Sequence, residues 1–119
     1  MPESSKKKDA ARVLEDLELV FDALAHAQRR HILFALHVRG GEMLAGDIAE
    51  RFACSWPTTS RHLGVLRDAG LVEVSQDGRH RTYSLDAARL RSVVGDWLGN
   101  FESQEPKLRK RGAQPKNPS

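Results

Sequence analysis

The residues with the most specific chemistry lie in one short run and one turn. The run holds Trp56, Pro57, Thr58, Ser60, Arg61 and His62, and the turn carries Arg79, His80 and Arg81 beside Gly78. No Asp or Glu occurs at positions 56–67, although the chain has 16 acidic residues. A guanidinium and an imidazole are thus set among small hydroxyls, with carboxylates left out. Arg has a rigid fork that pairs bidentately with guanine O6 and N7, and Ser and Thr reach phosphate or base edges without holding a helix away. The partner this chemistry fits is the major groove of duplex DNA. The cationic turn would add contacts to the backbone or to a narrow minor groove.

Such side chains act only if rigid elements aim them. Ser55 is a natural N-cap for a helix over 56–69, and Pro57 is tolerated there because first-turn amides have no intrahelical acceptor. Gly70 suits the left-handed position that closes a helix. At 100° per residue, Thr59, Leu63, Leu66 and Gly70 share the side that packs inward, and Thr58, Arg61, Val65 and Asp68 take the opposite side. Before this helix the pattern predicts three others. The first, over about 9–25, repeats Val13, Leu14, Leu17, Val20, Phe21 and Leu24 at three- and four-residue spacing. The second, over 28–38, turns Ile32, Leu33, Ala35 and Leu36 inward and stops at Gly40-Gly41. The third, over 44–52, turns in Leu44, Ile48, Ala49 and Phe52, and a short turn at 53–55 follows. After Gly70 the period changes to two. Val72 and Val74 alternate, Gln76-Asp77-Gly78-Arg79 makes a turn, and Thr82, Tyr83 and Leu85 follow, which is a hairpin pattern. A last helix starts near Asp86 with Leu90, Val93, Val94, Trp97, Leu98 and Phe101 on one wide apolar stripe. Two short helices across a tight turn, then a hairpin, make a winged helix-turn-helix. The fold class expected is mainly α with a small β-hairpin.

Composition bounds what else the chain does. Its 119 residues suffice for one core, and 39% hydrophobic with 29% charged residues is ordinary for a globular domain. The formal net charge of +3 agrees with a polyanionic partner without requiring one. Residues 1–8, with Lys6-Lys7-Lys8, and residues 104–119, with five Lys or Arg and three Pro, are expected to be disordered basic tails around a domain at 9–103. No run approaches a membrane span and no apolar leader opens the chain, so a cytoplasmic location is expected. The single cysteine, Cys54, excludes an internal disulfide and any zinc site needing several thiolates. His26 and His31 are five apart and do not share a helical face, and His62 and His80 fall in the DNA-facing parts, so neither metal nor other cofactor is expected. Phosphate-loop, nucleophile-elbow and zinc-protease motifs are missing, and an enzyme is not expected. Two further readings stand beside DNA binding: a winged-helix module for protein–protein contact, and a thiol-responsive regulator using Cys54.

Taken together, FDALAHAQRRHILFAL and LAGDIAERFACSWPTTSRHLGVLRDAGLVEVSQDGRHRTYSL resemble the ArsR/SmtB family of bacterial winged-helix repressors over roughly residues 19–101. The resemblance implies four helices, a two-stranded wing and a fifth helix. It implies base contacts at Trp56, Pro57, Ser60 and Arg61, to which helix geometry adds Thr58 and His62. It also implies a homodimer built from the first and last helices. Here that interface would use Leu14, Leu17, Phe21, Leu90, Val94, Trp97, Leu98 and Phe101, of which Trp97, Leu98 and Phe101 are an apolar surplus one small core does not absorb. Two departures matter. Glu42-Met43-Leu44-Ala45-Gly46-Asp47 stands where many members carry a Cys-x-Cys metal site, and the last helix holds no histidine. Gly64 and Trp56 also differ from the residues usual there. The function expected is a sequence-specific, double-stranded-DNA-binding transcriptional repressor, acting as a homodimer on an inverted-repeat operator.

Overall fold

The computed structural model describes the backbone of residues 2–52 and 54–102, with side chains for 9–52 and 54–102. Eight elements follow in order: α1 (Pro2–Leu24), α2 (Ala27–Val38), β1 (Glu42–Leu44), α3 (Ala45–Arg51), α4 (Trp56–Asp68), β2 (Val72–Asp77), β3 (His80–Leu85) and α5 (Ala87–Glu102). The five helices fall where the periodicity places them. Two boundaries differ. The α1 backbone reaches Pro2 rather than starting near Asp9, so residues 2–8, read as tail, continue the helix. Propagating a nucleated helix is cheap, and lysine is a good helix former. The second tail, at 104–119, lies outside the described residues.

The other difference is a third strand. Glu42–Leu44 pairs antiparallel with β3, Met43 opposite Tyr83, and the sheet order is β1-β3-β2. Leu44 therefore belongs to a strand rather than to α3, and its side chain is exposed instead of turned inward. Three residues after Gly40-Gly41 are too few to show a period of two. The strand exists because β3 supplies its partner from far along the chain. Gly41, at φ +109°, accepts from Leu85 N–H at 2.8 Å and starts that pairing.

The core follows from the apolar periods. Ile32, Leu33, Ala35 and Leu36 of α2 are all buried, as are Val20 and Ala23 of α1, Met43, Ile48, Leu71, Val72 and Tyr83. Of the positions assigned to the inner side of α3, only Ile48 is fully buried, because the helix is seven residues long and its end at Phe52 is half-buried. α4 turns Thr59, Leu63 and Leu66 into the core. It then ends in a paired hydrogen-bond motif: Gly70 N–H donates to Arg67 O at 2.9 Å and Leu71 N–H to Leu66 O at 2.9 Å. Gly70 has φ +79°, the left-handed geometry this ending requires. Leu71, fully buried, is the apolar anchor of the motif. α5 is different in kind: none of its residues is buried.

Candidate DNA-binding surface

α4 is held at both ends, and this fixes which side chains face out. Ser55 Oγ accepts from Thr58 N–H at 3.4 Å, and Pro57 fills a first-turn position that donates nothing. Ser55 Oγ also donates to Thr58 Oγ1 at 3.2 Å. Burial of Thr59, Leu63 and Leu66 leaves Trp56, Pro57 and Arg61 exposed, and Thr58, Ser60 and His62 half-buried at the flanks. Val65, assigned to the outer side, instead packs against the core at its edge. The first turn of α4 has no acid.

The wing is a two-residue hairpin. Asp77 pairs with His80, and Gly78-Arg79 form the turn, with Gly78 at φ +63° in its first central position. Arg79, His80 and Arg81 are all exposed. A single cleft brings wing and recognition helix together. Trp56, Gln76, Arg79, His80 and Arg81 line it, with Leu44, Ala45, Gly46 and Asp47 along the other side. β1 matters here, since Leu44 pairs with Thr82 and ties the base of the wing to the start of α3. Asp47 is the one acid on that cleft, in the first turn of α3, where the helix dipole favours it.

The fold also joins residues that lie far apart along the chain. His26, the N-cap of α2, has its ring centroid 4.5 Å from that of His62 on α4. Gln28 Nε2 lies 3.2 Å from Cys54 Sγ, tying the start of α2 to the turn before α4. A neutral carboxamide thus donates to this half-buried thiol. Only a long-range contact makes these pairs, and no local pattern announces one. Among the described residues, no three His, Cys, Asp or Glu are grouped closely enough to hold a metal ion. Among them, too, no helix is long and apolar enough to cross a membrane.

The interface candidates divide. Leu14, Trp97, Leu98 and Phe101 are exposed, and Leu17, Phe21, Leu90 and Val94 are half-buried. Trp97 stands edge-on to Phe21 and to Phe101, each at 5.0 Å between centroids, and this aromatic chain joins α1 to α5. Leu90 and Val94 lie against the monomer's own core.

The helix pair α3–α4, the wing and the cleft between them define a winged helix-turn-helix DNA-binding domain. A helix-turn-helix domain model matches residues 24–75. The chain is 40% identical over 82 residues to the transcriptional repressor SdpR of Bacillus subtilis, covering 69% of this chain and 88% of that one. Among solved structures, it is similar to an ArsR family transcriptional regulator at TM-score 0.68 and 29% identity, over 76% of this chain and 90% of the other. It is also similar to a homodimeric winged helix-turn-helix domain from Mycobacterium bovis at TM-score 0.63 and 28% identity, over 81% and 88% of the two chains. The chain belongs to the ArsR/SmtB family of winged-helix transcriptional regulators. It is a DNA-binding regulator and not an enzyme.

Proposed function

We propose that the protein is a transcriptional repressor that binds an inverted-repeat operator as a homodimer. The observation that carries this reading is the outward face of α4. Its first two turns combine Trp56, Pro57, Thr58, Ser60, Arg61 and His62 without a carboxylate, beside a wing carrying Arg79, His80 and Arg81. A symmetric dimer would place two such helices in successive major grooves, about 34 Å or a multiple apart. Arg61 reads a base, and the wing arginines hold phosphates. Repression follows from occupying promoter DNA.

Two observations support the dimer. α5 carries an apolar stripe yet buries none of its residues, and Val13, Leu14, Leu98 and Phe101 stand exposed beside it on the α1–α5 side. The similar M. bovis domain is homodimeric. The thiol reading rests on Cys54 lying at the α4 approach, and is dead if peroxide, reductant and Cys54→Ser all leave DNA affinity unchanged.

Selection of bound duplexes from a random pool tests the whole reading. The expected result is an inverted repeat with a protected footprint. Weak binding of all sequences, with no footprint, would support a protein-contact module instead.

A further inference from the structure

At the start of α2, beside the recognition helix, positive groups are gathered without a counter-charge. The His26 and His62 rings lie 4.5 Å apart at a 53° tilt. His26 Nδ1 accepts from Gln28 N–H at 3.3 Å, which fixes the ring at the N-terminus of α2. Arg29 follows in the first turn of α2, and its Nε is buried with no hydrogen-bond partner. Among the described residues there are two ion pairs, Arg67–Asp68 and Arg89–Asp16, and neither uses Arg29 or Arg61. The first turns of α2 and α4 contain no acid.

The electrostatics say the same. His62 is held below its ordinary value, first by burial and then by the charges of His26, Arg29 and Arg61. Those are the groups facing it from α2 and from its own helix, and none is acidic. A cluster that resists its own proton and that no carboxylate faces is short of an anion. Charge-assisted hydrogen bonds from guanidinium and imidazolium to an oxyanion are the interaction that would satisfy it.

We propose that His26, Arg29 and His62, flanked by Arg61, hold one backbone phosphate of the duplex at the rim of the groove entered by α4. The contact rests on the reading of α4 as the DNA-reading helix and extends the interface to α2, outside the helix and wing already described. It fixes register rather than sequence, since a phosphate carries no base identity. The bound phosphate favours charged His62, so the complex takes up a proton. Binding therefore tightens as pH falls through the range where the imidazole charges.

The test is fluorescence anisotropy on the selected operator and a scrambled duplex, titrated with salt near neutral and mildly acidic pH. Arg29→Gln changes both protomers and is expected to reduce the magnitude of the log–log salt slope by about 1.8, twice the ~0.9 for one phosphate. It should weaken both duplexes equally, so that their affinity ratio is unchanged. His62→Gln should lose most of the tightening at acidic pH. A scan of single neutral methylphosphonates along the operator, bound by the wild-type chain, gives a result that does not depend on how any variant folds. One position per half-site should weaken binding; neutralised in both half-sites together it should match the Arg29→Gln loss, and Arg29→Gln should add nothing there. An unchanged salt slope in Arg29→Gln, or a methylphosphonate scan with no such position, overturns the proposal. If the wild-type chain still prefers its operator in that case, the regulator reading survives; if it shows no preference, that reading fails and takes this one with it.

Discussion

Arg89 Nε donates to the carbonyl of Ala69 at 2.9 Å, so the helix that starts after the wing grips the end of the recognition helix. The same guanidinium reaches Asp16 of α1 at 3.4 Å, and Arg89 N–H donates to Asp86 Oδ1 at 3.0 Å, capping α5. One side chain therefore joins α1, α4 and α5, the surfaces proposed for dimerisation and for DNA. With Arg89 partly exposed, its ion pair with Asp16 adds little; the hydrogen bond to a helix-terminal carbonyl, which has no intrahelical donor, is the stronger tie.

Gly70 sits against that tie. A Cβ at Gly70 would overlap the Arg89 guanidinium, and φ +79° is strained for any other residue. Gly70→Ala is expected to destabilise the fold by about 1–3 kcal/mol in urea unfolding. Arg89→Ala in the same chain removes the overlap but not the backbone strain. The double variant should then lose less than the two single losses added together, a coupling that a double-mutant cycle reads directly.

The α1–α5 face predicts a second result. Leu98 is 51% and Phe101 49% exposed in the monomer, values too high for residues that only complete its own core. Leu98→Asp should leave the monomer folded, since that side chain contributes little to its core, yet place a charge in the dimer interface. Sedimentation equilibrium is expected to show a monomer at concentrations where the parent chain is dimeric. Operator affinity should fall at least tenfold, equivalent to about 1.4 kcal/mol, because one half-site is then held without the other. A dimer of unchanged strength would move the interface elsewhere.

The wing gives a third. Arg79, in the turn between β2 and β3, is exposed and joins no ion pair among the described residues. Arg79→Ala should reduce the salt slope of DNA binding by about one per half-site, the loss of one phosphate contact on each wing of the dimer. Operator preference should be retained, since the contact is to backbone.

Much of this was legible along the chain. Ser55, Pro57 and Gly70 mark both ends of α4, and burial of Thr59, Leu63 and Leu66 follows from helical projection. Gly78 marks the wing turn because its left-handed φ is one that other residues rarely adopt. What stayed hidden is non-local. β1 has three residues and is a strand only through Ser84, Tyr83 and Thr82 on β3. His26 reads as an isolated histidine until α2 is laid against α4. Val65 shows the limit of projection: an edge position on a helix is buried or not according to the neighbour beside it, here the core it packs against.

The central claim is that Arg61, exposed on the outward face of α4, reads a base. The most direct measurement compares sequences selected from a random duplex pool by the wild-type chain and by Arg61→Ala, with affinities for the wild-type operator. Base reading by Arg61 predicts a loss of about 1–3 kcal/mol for each half-site of that operator and relaxed preference at one position in each. An identical motif and unchanged affinity with Arg61→Ala would contradict it.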